Sequence, residues 1–121
     1  DGRAGTGAGL RCAAGATVNL DRSAIASCVA SNGGGAIANS GRLVLHDCQL
    51  VNNTTLRGHG GALDNAAGGN VDIFNSIISD NTASAGNGGG LHNGSSAKLL
   101  LVQSAVQHNS ASGGGGGIYH G

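Results

Sequence analysis

Two aspartates in this chain are each followed 28 residues later by a histidine, Asp64 by His92 and Asp80 by His108. A carboxylate that holds an imidazole is half of a catalytic triad, because it orients the ring that acts as the base. The other half is a placed nucleophile in a closed site, and the segments available here are too short to build one. Surface pairs of this kind contribute about 0–1 kcal/mol and are usually incidental. We therefore predict salt bridges between neighbouring repeats, no catalytic residue and no enzyme activity.

The segment RGHG at residues 57–60 resembles the glycine–histidine–glycine segment of polygalacturonases, which place several clustered aspartates beside it. In this chain the aspartates are scattered, and no NTD or DD pair accompanies His59. They are Asp1, Asp21, Asp47, Asp64, Asp72 and Asp80. We interpret the segment as a glycine-rich corner.

The composition excludes several classes of protein. Glycine accounts for 25 of the 121 residues and proline is absent, but there is no three-residue period, so the chain is not collagen. Its net charge is zero, and Phe74 and Tyr119 are its only Phe, Tyr or Trp residues. It therefore lacks the basic patch and the stacking surfaces that nucleic-acid binding requires. No apolar run approaches the ~20 residues of a membrane span.

A repeat organises the whole chain. Five hydrophobic residues recur at intervals of 27, 26, 28 and 27, and this fixed period predicts stacked structural units. They are Leu10, Ile37, Leu63, Leu91 and Ile118. Aligning the units gives further columns: Val18, Leu43, Val71, Leu99; Leu20, Leu45, Ile73, Leu101; Ile25, Leu50, Ile78, Val106; and the small residues Ser23, Cys48, Ser76, Ser104. The first two of these columns lie two residues apart, as do the serine column and the third, and this spacing is the period of a β-strand.

Asparagine recurs at two fixed offsets from these columns. The two sets are Asn39, Asn65, Asn93 and Asn53, Asn81, Asn109. A buried asparagine at a bend can bond the backbone groups that the bend leaves free, and stacked asparagines can bond one another as a ladder. The alternative is that asparagine is simply common in turns. Because both sets keep register, we predict two ladders.

The three cysteines fall on the same grid. Cys12 occupies the first asparagine column, Cys28 the second, and Cys48 the serine column. We predict a disulfide between Cys12 and Cys28, which an oxidising exterior would permit. The alternative is two buried free thiols, the state expected for Cys48. No C-x₂-C pair or paired histidine spacing indicates zinc, so we expect no metal and no cofactor.

One unit of this repeat cannot bury its own apolar face, whereas stacking buries it. We therefore predict an all-β fold, a right-handed parallel β-helix of about four and a half coils of 26–28 residues. Residues 1–121 form a single solenoid domain in this prediction, uncapped at both ends.

Two sequence elements resemble the polymorphic outer-membrane protein repeats of bacterial autotransporter passengers, with their GGAI and FxxN motifs. The matches are GGAI at 34–37, GGAL at 60–63, LVNN at 50–53, ISDN at 78–81 and VQHN at 106–109. Aliphatic residues stand where that family has phenylalanine. The resemblance implies a right-handed parallel β-helix that is secreted or displayed on the cell surface.

Two contact surfaces are expected. Clustered outward-facing hydrophobic residues predict a lateral contact, formed by Val44, Phe74, Ile77, Leu100 and Val102. An open solenoid end invites a further strand, which has two explanations: the chain is cut from a longer solenoid, or copies stack end to end. Stacking predicts an end-to-end contact through Leu10, Ile118 and Tyr119.

These expectations together predict an extracellular structural protein, a stalk or a self-assembling filament subunit whose partner is itself. An adhesive role toward a host or surface glycan is a further expectation. The alternative is a fragment of a carbohydrate-active β-helix or a glycan-binding adhesin. β-Helices serve adhesins, lyases and filaments alike, so the fold alone does not choose among them.

Overall fold

The computed structural model describes residues 3–4, 7 and 9–121 and shows a parallel β-solenoid of about four coils. These residues form eighteen strands and no helix. The predicted all-β solenoid is confirmed.

Each coil contributes four strands. The first coil holds β1 (Arg3–Ala4), β2 (Leu10–Cys12), β3 (Thr17–Asp21) and β4 (Ala24–Ala26). The second holds β5 (Val29–Asn32), β6 (Ile37–Asn39), β7 (Arg42–His46) and β8 (Gln49–Val51). The third holds β9 (Thr54–Arg57), β10 (Leu63–Asn65), β11 (Asn70–Phe74) and β12 (Ile77–Ser79). The fourth holds β13 (Thr82–Ala83), β14 (Leu91–Asn93), β15 (Lys98–Val102) and β16 (Ala105–Gln107), and β17 (Ser110–Ala111) and β18 (Ile118–His120) follow.

The strands stack into four parallel sheets that run along the solenoid. Sheet 1 has the order β1-β5-β9-β13-β17, and sheet 2 the order β2-β6-β10-β14-β18. Sheet 3 contains β3, β7, β11 and β15, and sheet 4 contains β4, β8, β12 and β16. Every strand therefore pairs with strands one coil away in sequence.

The large apolar side chains of the core come from the inward residues of sheets 2, 3 and 4. The register pairs Leu43 with Val71, Leu45 with Ile73 and Leu50 with Ile78, and all six side chains are buried. Burial of each such aliphatic side chain contributes about 1.5–3 kcal/mol. A single coil cannot supply this burial, so the core forms only where coils stack.

The corners between sheets 3 and 4 and between sheets 4 and 1 share one conformation. At each of them a residue other than glycine adopts a positive φ, as at Asn75 (51°) and Asp80 (56°). The next residue points inward: Ser76 Oγ accepts a 3.0 Å bond from the Cys48 amide one coil below. The side chain thus satisfies a backbone donor that the bend leaves free.

Among the described residues there is no helix with the length and apolar character that a membrane crossing requires.

Candidate functional site

The first asparagine column lies buried at the corner that follows sheet 2. Asn39 Nδ2 donates to Asn65 Oδ1 at 2.8 Å, and Asn65 Nδ2 donates to Asn93 Oδ1 at 2.7 Å. Asn93 Nδ2 lies 2.9 Å from His120 Nδ1, which must accept because an amide NH₂ group only donates. His120 therefore continues the column after Asn93. Its offset of two residues from Ile118 is the signal that places His120 in the asparagine column.

The second asparagine column lies at the corner between sheets 4 and 1. Asn53 Nδ2 donates to Asn81 Oδ1 at 3.0 Å, and Asn81 Nδ2 donates to Asn109 Oδ1 at 2.9 Å. The same oxygens accept backbone amides: Asn53 N–H donates to Asn81, and Asn81 N–H to Asn109, both at 2.9 Å. The Asn81 amide group also donates to the Leu50 carbonyl at 2.9 Å. Each side chain thus ties its own corner to the coils on both sides.

The structure corrects the predicted disulfide between Cys12 and Cys28, because both are free, buried thiols. Cys12 Sγ lies 3.7 Å from the Ala16 carbonyl at the corner after sheet 2. Cys28 Sγ lies 3.6 Å from the Ala26 carbonyl at the corner after sheet 4. The strands β3 and β4 separate these two corners. Both thiols are buried, but they lie at two different corners of the coil. Cys48 is also free and buried.

Half-buried polar and aromatic side chains gather on the outer face of sheet 2. His92 Nδ1 lies 2.8 Å from Asp64 Oδ1, so the predicted salt-bridge contact between neighbouring coils is present. The His92 ring stacks on His59 with 4.4 Å between centroids, and on Tyr119 with 5.7 Å. Asp64, His92 and Tyr119 share one column of the register.

His59 lies in the glycine corner, the name used here for the segments that join sheet 1 to sheet 2. These are residues 33–36, 58–62, 84–90 and 112–117, with Gly7 and Gly9 in the first coil. His59 Nδ1 accepts the Asn87 amide at 3.1 Å, which places the proton of a neutral ring on Nε2. Asn87 Oδ1 in turn accepts the Gly114 amide at 2.6 Å. One side chain thus links residues 58–62 to residues 84–90, and another links residues 84–90 to residues 112–117.

Glycine is required at some of these positions because the backbone of the neighbouring coil lies close. A Cβ on Gly61 would collide with the Gly89 carbonyl oxygen, and one on Gly86 with the Gly58 carbonyl oxygen. The interpretation of RGHG as a corner segment agrees with the positive φ angles of Gly58 (92°) and Gly60 (70°).

The second Asp–His pair does not form. Three ion pairs occur in the described part of the chain, and Asp80 and His108 are in none of them. Both residues have positive φ at the corner after sheet 4, outside the regular strand face on which stacked side chains meet. Within residues 3–4, 7 and 9–121, no three His, Cys or Asp side chains are grouped as metal ligands.

The predicted lateral residues lie on the outer faces of sheets 3 and 4. Leu100, Val102 and Ile77 are exposed, whereas Val44 and Phe74 are half-buried. The His46 ring stacks on Phe74 with 4.7 Å between centroids and covers one of its faces. Asp72 separates Val44 from Leu100 in the register and pairs with Arg42 Nη2 at 2.9 Å. The cluster is therefore divided by an ion pair, and the lateral contact stays a prediction.

The predicted end-contact residues lie in the first and last strands of sheet 2. Ile118 is 39% exposed, whereas Leu91, its neighbour in the same inward column, is fully buried. Leu10 is half-buried at the other end. Leu10 and Ile118 belong to the inward column of sheet 2, whereas Tyr119 faces outward beside His92. The end-to-end contact stays a prediction.

The fold and these columns define a parallel β-solenoid repeat protein. No protein-family model, curated protein or solved structure matches the chain.

Proposed function

We propose that this chain is a structural protein of the bacterial cell exterior, a stalk segment or subunit that joins copies of itself end to end and has no catalytic role. Support for the exterior location comes from the resemblance of GGAI, GGAL and the three hydrophobe-x-x-Asn segments to autotransporter passenger repeats. A parallel β-solenoid is also a fold that structural repeat proteins use.

The observation that carries the proposal is the match between the two end coils. β2 and β18 belong to the same sheet and have the same inward column, which runs from Leu10 to Ile118. Apolar side chains covered on one side favour a partner that continues the same stack. A second copy would provide such a partner, and further coils of a longer solenoid would provide the same one.

A carbohydrate-binding role receives less support. Sugar recognition by aromatic residues uses exposed ring faces. Here Phe74 has one face against His46, and Tyr119 has one face against His92.

Sedimentation velocity across a range of protein concentrations tests the proposal. The wild-type chain is expected to form species that grow with concentration, and Ile118→Lys is expected to stay folded and sediment as a monomer. Leu56→Lys is the matched control, because Leu56 is 49% exposed on β9 in the middle of the solenoid. A wild-type chain that remains a single monomeric species at high concentration would overturn the proposal.

A further inference from the structure

The Asn87 amide, in the glycine corner at residues 84–90, is held by a side chain rather than by a backbone carbonyl. Its N–H donates to His59 Nδ1 in the preceding coil over 3.1 Å. The amides of Ser84 and Gly88, on either side of it, donate to backbone carbonyls of neighbouring coils over 2.9 Å. A carbonyl group does not change its charge with pH, whereas histidine does so between about pH 5 and 8. The hold on Asn87 therefore depends on the protonation of one ring.

The bond to Asn87 exists only while the His59 ring is neutral. A backbone N–H can only donate, so Nδ1 must offer its lone pair, and a protonated imidazole carries N–H groups on both nitrogens. The backbone leaves the ring little room, because a Cβ built on Gly86 would lie 3.2 Å from His59 Nδ1. Protonation would therefore set one N–H against another, and the ring and the segment at Asn87 must move apart.

The titratable groups that face His59 respond differently to acid. The His92 ring stacks on it with 4.4 Å between centroids, and Tyr119 covers the far face of His92. His92 Nδ1 lies 2.8 Å from Asp64 Oδ1, and its N–H can donate to that carboxylate whether the ring is neutral or charged. A charge on His92 is balanced by Asp64, whereas a second charge on the stacked His59 ring would face the first. Acid thus preserves the Asp64–His92 contact and breaks the bond between His59 and Asn87.

We infer that His59 is a pH-sensitive latch on the glycine corner at residues 84–90. The neutral ring holds the Asn87 amide, and the protonated ring releases it as the pH falls. The two asparagine columns are joined through carboxamides that do not titrate, as between Asn65 and Asn93. Acidification therefore loosens this wall of the solenoid while the columns keep the coils in register.

The chain contains a counterpart of this latch that does not titrate. His59 and Asn87 each precede a glycine with positive φ, Gly60 at 70° and Gly88 at 69°. Each side chain also accepts an amide of the following coil, since Asn87 Oδ1 takes the Gly114 N–H over 2.6 Å as His59 Nδ1 takes that of Asn87. The variant His59→Asn should therefore keep the hydrogen bond at this corner and remove its dependence on pH.

Amide hydrogen exchange measured by NMR tests the latch. The readout is the protection factor, the exchange rate of an amide in the native chain relative to that of an unstructured peptide at the same pH. From about pH 8 to about pH 5, the protection of the wild-type Asn87 amide is expected to fall about 2- to 12-fold, which corresponds to one hydrogen bond. In His59→Asn it is expected to stay constant. The Asn53 amide, which Asn81 Oδ1 holds over 2.9 Å, is the internal control in both chains.

A fall in the protection of Asn87 that is confined to the wild-type chain, with constant protection of Asn53, supports the inference. Equal protection of the wild-type Asn87 amide at both pH values overturns it, as does an equal fall in His59→Asn. The protonation site of His59 gives a second test that needs no variant. At about pH 8 the ¹⁵N spectrum of the ring should show the proton on Nε2, and a proton on Nδ1 would overturn the inference.

Discussion

Asn65 and Asn93 lie 28 residues apart in sequence and are joined directly, because the Nδ2 of Asn65 donates to the Oδ1 of Asn93 over 2.7 Å. Asn65 also donates to the Lys98 carbonyl at 3.0 Å. Both side chains are buried, so the bonds form away from competing water. A buried polar column of this kind holds neighbouring coils in a single register, since a slip of one residue would leave every amide in it unpaired.

Asn81→Ala tests the second column. The substitution leaves the Asn53 amide and the Leu50 carbonyl without their side-chain partner and is expected to cost about 1–3 kcal/mol. Asn70→Ala is the control, because Asn70 lies on the half-buried outer face of β11, outside both columns. Thermal unfolding followed by circular dichroism measures the stability of both variants. Equal losses of stability would contradict a structural role for the column.

Leu45→Asp tests the inward assignment of the core. Leu45 is fully buried between neighbouring coils, and an unpaired charge there costs several kcal/mol, so the variant is expected not to fold. Val44→Asp is the matched control, because Val44 is the adjacent residue and faces outward on the same strand. Far-UV circular dichroism compares the β-structure content of the two variants. A folded Leu45→Asp variant would show that the inward assignment of Leu45 is wrong.

Gly61→Ala tests the close approach of coils at the glycine corner. A Cβ on Gly61 would collide with the Gly89 carbonyl oxygen, so the variant is expected to lose about 1–3 kcal/mol through overpacking. Gly117→Ala is the control, since its Cβ would meet the Val106 side chain at an ordinary 3.5 Å. Similar melting temperatures for the two variants would contradict the contact.

The free thiols can be counted by alkylation and mass spectrometry. The native chain is expected to resist alkylation, because Cys12, Cys28 and Cys48 are all buried, and to take up three labels after denaturation without reductant. Asn19→Cys supplies an exposed thiol that should label at once in the native state. A single label on the denatured wild-type chain would restore the disulfide between Cys12 and Cys28.

The sequence predicted the columns that carry large aliphatic residues and missed the strands that do not. Sheet 3 could be predicted from Leu45, Ile73 and Leu101, because a buried strand face requires an apolar side chain at every second residue. Sheet 1 has Ala30, Thr55 and Ala83 at its inward positions, which are too small to give that signal.

The site was predictable to a similar degree. The 28-residue interval predicts the contact between Asp64 and His92, because both residues lie on a regular strand face. The same interval between Asp80 and His108 does not bring them together, since each has positive φ at a corner. The residues with positive φ at these corners are of many types, with Arg22 and Gln103 among them. The residue type therefore does not predict the positive φ.

X-ray fibre diffraction from a concentrated, aligned sample of the wild-type chain tests the central claim most directly. Head-to-tail stacking predicts a reflection along the fibre axis at about 4.8 Å from the strand spacing. Ile118→Lys should lose this signal and remain folded in solution. A sample that gives no such reflection at any concentration, and contains only folded monomers, would contradict the account.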